Sequence, residues 1–153
     1  MRIISGEGYN VHFDEAHGLL IGEYGPVVND EVVTNLYADG FQLAAMYGPE
    51  KLLGIIFNFY HVERFARGNL LAVQAETYRT HERLNLEHTP IALIVRTLVQ
   101  EQVVKLSTLS TPWRGRAQIV YSMDEAITFL RRWKREHTDA ADPFDTPTQP
   151  SRR

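Results

Sequence analysis

Apolar and polar residues alternate from Tyr9 to Asp14, with Tyr9, Val11 and Phe13 set against Asn10, His12 and Asp14. Period-two alternation predicts a strand with one face buried. Asp14-Glu15-Ala16-His17-Gly18 reads as a turn, because Gly18 tolerates positive φ. Leu19 to Tyr24 (LLIGEY) is then the returning strand of an antiparallel hairpin. The period next becomes helical. Val33, Leu36, Tyr37, Phe41 and Ala44 recur at three- and four-residue spacing, the single apolar face of a helix. Asn29 or Asp30 caps its start and Gly48-Pro49 ends it. Gly40 falls inside this helix, at a cost of about 1 kcal/mol relative to Ala unless close packing requires it.

The pattern changes again at Lys51–Asn69, KLLGIIFNFYHVERFARGN. Leu52, Leu53, Ile55, Ile56 and Phe57 are nearly continuous, as a central strand buried on both faces requires. Ile91 to Val95 is a second such run, and Arg116 to Tyr121 a last, shorter strand. A weaker periodicity predicts a helix over 69–85, and Val99, Val103 and Leu106 mark a short helix after Val95. Ser122-Met123-Asp124-Glu125 has the form of a capping box, with Ser122 accepting from the Glu125 amide and Glu125 reaching back. The helix it opens points Ala126, Ile127, Leu130 and Trp133 inward and its arginines outward. The order is β-β-α-β-α-β-α-β-α. It predicts an α/β fold with about five strands and four helices, in which an N-terminal antiparallel hairpin feeds parallel strands. A single domain is expected over 1–137. The segment 138–153, rich in proline and without periodicity, is expected to be a disordered tail.

Composition narrows the function classes. The chain has 153 residues, a formal net charge of -3 and no cysteine. The charge gives no electrostatic case for a nucleic-acid partner. The missing cysteine excludes disulfides, thiolate catalysis and Cys-ligated zinc. No apolar stretch approaches the roughly 18 residues of a membrane helix. The opening MRIISGEGYNVHF lacks the apolar core of a signal peptide, so a cytoplasmic location is expected.

Loops beyond the carboxyl ends of strands are where α/β sheets meet ligands and partners. Here that loop carries Asn58, Tyr60, His61, Glu63, Arg64 and Arg67, with Phe59 and Phe65 beside them. Arginine and aromatic anchors on a short loop suit protein recognition. The competing reading is a solvated connection whose apolar members seal the core edge. An acid–base pair of His61 and Glu63, with Arg67 holding an anion, is an enzymatic alternative, although no nucleophile motif accompanies it. The six histidines form neither HExxH nor an i, i+4 pair, and no glycine motif for phosphate is present. No metal or other cofactor is therefore expected. A further alternative is a small hydrophobic-ligand carrier, with Tyr37, Phe41, Tyr47 and Tyr78 lining an apolar pocket.

The hairpin YNVHFDEAHGLL, the buried strand LLGIIFNFYHVERF and the closing unit RAQIVYSMDEAITFL resemble STAS, or SpoIIAA-like, domains over about Tyr9 to Trp133. The resemblance implies the anti-anti-sigma-factor fold and a regulatory role through protein contacts. Regulatory members carry an Asp at the end of the central strand, then an Asp-Ser pair whose Ser is phosphorylated. This chain has Asn58 at the first position and Ala66-Arg67 near the second. No Ser or Thr lies between Asn58 and Asn69, so the phosphorylation switch is not carried over. The expectation is a non-catalytic regulatory or scaffold module whose partner is another protein. Homodimer contacts are open through the first hairpin or the arginine-rich last helix.

Overall fold

The computed structural model describes residues 2–66, 75, 79, 88–109 and 115–141. The chain begins with three antiparallel strands, β1 (Arg2–Gly6), β2 (Tyr9–Asp14) and β3 (Leu19–Tyr24). A two-residue strand β4 (Val27–Val28) leads into α1 (Asp30–Tyr47). Then come β5 (Gly54–Asn58), the two-residue β6 (Arg64–Phe65), β7 (Ile91–Ile94), α2 (Leu98–Leu109), β8 (Ala117–Val120) and α3 (Met123–Ala141). Six strands make one sheet in the order β1-β2-β3-β5-β7-β8, and β4 pairs with β6 beside it. The pairs β3–β5, β5–β7 and β7–β8 are parallel. The sheet is therefore mixed, with an antiparallel N-terminal part, as expected. It has one strand more than the five expected, because β1 extends the hairpin outward with Ile4 opposite Val11.

Side-chain alternation divides the sheet between two cores. On one face Val11, Phe13, Leu20, Tyr24, Ile55, Phe57, Ile91 and Leu93 pack under α1 and α2. On the other, Leu19, Ile21, Ile56, Ala92 and Ile94 pack against Ala126, Phe129 and Leu130 of α3. This explains why β5 and β7 read as unbroken apolar runs while β2 alternates. The inner strands are covered on both faces, and β2 sends Val11 and Phe13 inward but leaves Asn10, His12 and Asp14 only half-buried.

Local signals set the helix ends. The Val32 amide donates to Asn29 Oδ1 at 2.9 Å, capping α1. At its other end Gly48 has φ 106° and donates its N–H to the Ala44 carbonyl. The Glu125 amide donates to Ser122 Oγ at 3.1 Å, and Glu125 Oε1 accepts from the Tyr121 amide at 3.0 Å. The return bond of this capping box thus reaches one residue further back than Ser122. The α3 backbone stays helical to Ala141, past the expected start of the tail. Residues 142–153 lie outside the described residues. So do the loop 111–114 and the expected helix over 69–85, apart from Ala75 and Arg79, which are helical.

The three residues that mark α2 are divided by packing, with Val103 half-buried beside Val104 at the internal cavity. Val99 and Leu106 are 67% and 60% exposed, whereas Gln100, Val104 and Ser107 are buried. Spacing alone establishes that an apolar face exists, and packing decides which face turns inward. Here a buried glutamine with four hydrogen-bonding partners holds the inner side.

Tyr9 tethers β2 to α1 by donating its hydroxyl to Asp39 Oδ2. Burial, together with that hydrogen bond and the carboxylate charge, pushes the phenol up to about 12. Because the folded value is raised, this contribution to stability is complete below the unfolded value of about 10 and is lost as pH rises through the folded value. The melting temperature is expected to fall between pH 10 and 12, and less steeply in Tyr9→Phe. Thermal unfolding followed by circular dichroism across that range checks it; equal slopes would contradict the assignment. Tyr24, raised by burial alone, retains its own share of the alkaline loss in the variant.

Candidate functional site

The loop after β5 is built from its backbone outward. Phe59 continues the strand register by donating its amide to the Ile94 carbonyl at 2.8 Å. Asn58 then turns the chain, its Oδ1 accepting from the Tyr60 amide at 2.9 Å, the side-chain mimic of a backbone turn. Its Nδ2 donates to Glu23 Oε2 at 3.3 Å, linking the turn to β3. The Val62 amide closes back on the Phe59 carbonyl at 3.0 Å. Glu63 and Arg64 both donate their amides to the Pro26 carbonyl, and Ala66 donates to Val28. One flank of the loop is thereby zipped to the β3–β4 connection.

Gln100 holds the other flank. It is 1% exposed. Its Oε1 accepts from the Arg96 and Thr97 amides, at 2.5 and 3.1 Å. Its Nε2 donates to the Tyr60 and Val62 carbonyls, at 3.2 and 2.8 Å. The Gln100 amide in turn donates to Thr97 Oγ1 at 3.1 Å. Thr97-Leu98-Val99-Gln100 is thus a capping box whose glutamine also clamps a neighbouring loop. Arg96 adds a second tie, its Nε donating to the Tyr60 carbonyl at 3.1 Å and its guanidinium lying 5.0 Å from the Tyr60 ring centroid.

The candidate residues divide by position. Phe59 and Phe65 are half-buried and form a floor, with Phe59 stacked on Tyr24 at 5.0 Å and tilted against Phe65 at 6.2 Å. Asn58 is half-buried and shapes the turn. Tyr60, His61, Glu63 and Arg64 are exposed, with the His61 ring edge-on to Tyr60 at 5.2 Å. Arg67 lies outside the described residues. Arg96, from the β7–α2 connection, and Gln100, from the first turn of α2, join the site, and reading along the loop alone overlooks both. The Thr-x-x-Gln pattern was the available signal for Gln100.

The chemical alternatives find little geometry at the loop or under Tyr37. The larger open clefts, about 420 Å³ beside Pro26, Asn29 and Glu31 and about 240 Å³ beside Leu53, Ile127 and Leu130, are lined by none of the described residues those alternatives name. His61 and Glu63 stand in the open, and neither lines the cavity under Tyr37, whose walls include Tyr24, Phe57, Leu93, Val104 and Ser107. That cavity has a volume of about 20 Å³, room for roughly one water, whereas small-molecule sites run from about 300 Å³ upward. Of the residues expected to line a carrier pocket, Tyr37 does so, Phe41 and Tyr47 pack against the core, and Tyr78 lies outside the described residues. Among the described residues no group of three His, Asp or Glu side chains is placed to hold a metal. No described helix is long and apolar enough to cross a membrane.

No family model matches the chain, and no curated protein matches it. Solved structures do. An anti-sigma factor antagonist from Mycobacterium paratuberculosis aligns with a TM-score of 0.56 at 15% identity, covering 83% of this chain and 97% of that one. An uncharacterized DUF3478-family protein with a SpoIIAA-like fold, from Shewanella loihica PV-4, aligns with a TM-score of 0.51 at 12% identity, covering 80% and 94%. The chain therefore has the SpoIIAA-like fold of STAS domains, as its sequence resemblance implied.

Proposed function

We propose that this chain is a non-catalytic regulatory or scaffold module that works by protein–protein contact through the loop after β5. The observation that carries the reading is pre-organisation. The amides of residues 59, 60, 62, 63, 64 and 66 all have partners, while the Tyr60, His61, Glu63 and Arg64 side chains face outward. A loop ordered in advance loses little entropy on binding. Arginine and tyrosine are the residue types that dominate contact energies. Arg96 extends the surface, and Arg67 belongs to it by its place in the sequence. The fold shared with an anti-sigma factor antagonist supports a regulatory role. With no Ser or Thr between Asn58 and Asn69, the contact would be fixed by composition and not toggled by phosphorylation within the loop.

The test has two stages. Tagged full-length chain is used to recover a stoichiometric protein from native lysate, and the purified partner is then titrated against wild type and Tyr60→Ala. Tyr60→Ala is expected to weaken binding about 30-fold, the size of a hot-spot loss, with little change in melting temperature. Equal affinity in the two proteins would place the contact elsewhere.

A further inference from the structure

We propose that the outer face of α2 is a homodimer interface at which two copies of this chain pack their α2 helices antiparallel. The observation is the apolar outer side of α2. Leu98, Val99, Leu106 and Leu109 are 70%, 67%, 60% and 51% exposed. Four large apolar side chains on the outside of one 12-residue helix exceed the scattered exposed leucines of an ordinary surface and mark a contact site. At 100° per residue Leu98, Gln102 and Leu109 run down the middle of this outer face and Val99 and Leu106 along one flank. Glu101, whose carboxylate also accepts from the Tyr121 hydroxyl, and Lys105 lie along the other flank.

The order of residues is what selects a second copy as the occupant. A two-fold axis crossing the helix beside Val103 sets Leu98 against Leu109 of the second copy. It sets Val99 against the second copy's Leu106, and Glu101 against its Lys105. Each contact occurs twice, as an isologous interface requires. The acidic and basic positions fall on the same flank, so the antiparallel pair is complementary in charge as well as in apolar pattern. A parallel pair would instead set the Glu101 and Lys105 flank of each copy against the Val99 and Leu106 flank of the other, which leaves the charges over apolar side chains without opposite partners. A single helix face is a small interface compared with the standard 800 Å² or so per partner, so a reversible dimer of micromolar strength is expected. This assignment stands independently of the proposed loop contact.

Sedimentation equilibrium of the full chain tests it, with concentrations up to about 1 mM, the level at which a contact of about 4 kcal/mol becomes visible. Wild type is expected to show a monomer–dimer equilibrium. Leu106→Glu is expected to weaken it roughly 100-fold, since the two-fold axis makes each substitution count twice, with an unchanged melting temperature because the side chain is on the surface. The register is tested by the double variant Leu98→Cys/Leu109→Cys in this cysteine-free chain. Within one helix these positions are about 16 Å apart, beyond disulfide reach, so any disulfide joins two chains. Mild oxidation is expected to give a covalent dimer from the double variant and little from either single variant. A monomer at every concentration would overturn the proposal, including the case in which the face binds a different protein. A dimer indifferent to Leu106→Glu, or efficient cross-linking by Leu98→Cys alone, would overturn it as well.

Discussion

Gln100→Ala is expected to cost about 3 kcal/mol of stability and to loosen the loop after β5. The side chain is 1% exposed and engages two amides and two carbonyls. Truncation removes all four bonds at once and leaves a gap that an alanine methyl does not fill. A buried polar group deprived of its partner costs about 1–3 kcal/mol. The total stays near 3 kcal/mol because the freed Arg96 and Thr97 amides sit at a helix start that water can reach. Urea unfolding measures the loss, and hydrogen exchange should show faster exchange at residues 60–64. Gln100→Glu separates the two halves of the clamp. The carboxylate still accepts from Arg96 and Thr97 but has no proton to give the Tyr60 and Val62 carbonyls at neutral pH. The loop should therefore loosen in Gln100→Glu while the start of α2 stays capped. A loss below about 1 kcal/mol in Gln100→Ala would show that the clamp is dispensable.

Gly18→Ala is expected to cost about 2–4 kcal/mol. Gly18 has φ 68°, a left-handed backbone that costs an L-residue about 1 kcal/mol or more. Space adds to this. An added Cβ would stand 2.6 Å from the Lys51 carbonyl oxygen and 2.8 Å from Leu53 Cγ. The carbonyl belongs to the backbone and cannot rotate away. The same residue accepts from the Leu53 amide at 2.7 Å, so a shift at the hairpin turn is carried into the entrance of β5. Gly40→Ala is the internal control. The nearest side-chain atom to an added Cβ there is 3.4 Å away, an ordinary contact, and helix propensity favours alanine. Chemical denaturation of both variants should separate them by more than 2 kcal/mol. A Gly18→Ala variant as stable as wild type would refute both the left-handed turn and its close approach to Lys51.

How far the fold is legible depends on whether a local signal has a single physical meaning. The alternation of Tyr9, Val11 and Phe13 has one, because only one face of β2 is covered. The runs in β5 and β7 have one too, because helices cover both faces. β1 is less legible. Its sequence, RIISG, places an exposed Ile3 beside Ile4, so hydrophobicity gives no clean period for an edge strand. The two-residue strands β4 and β6 exist through backbone pairing and carry no side-chain pattern. In α2 the periodicity marks the helix correctly but does not show which of its apolar residues turn inward: Val103 lines the internal cavity, while Val99 and Leu106 are exposed.

The geometry of the candidate loop is legible to a similar degree. Position beyond a central strand picks out Asn58, Tyr60, His61, Glu63 and Arg64 together, and the structure keeps them in one loop. It also assigns them different tasks. Asn58 shapes the turn, Phe59 and Phe65 form the floor, and only Tyr60, His61, Glu63 and Arg64 face outward. Arg96 and Gln100 come from another crossover, 36 and 40 residues from their Tyr60 contacts. Nothing local in the sequence signals that separation. It follows from β5 and β7 being neighbours in the sheet.

Whether a partner binds at this held loop is tested most directly by isothermal titration of the recovered partner against wild type and Arg64→Glu. Arg64 is exposed and its backbone amide, not its side chain, ties the loop to Pro26, so the reversal of charge should leave the fold intact. The expected result is a loss of affinity of about 30-fold or more with an unchanged unfolding midpoint. Equal affinity for the two proteins would contradict the claim and remove the loop after β5 from the contact surface.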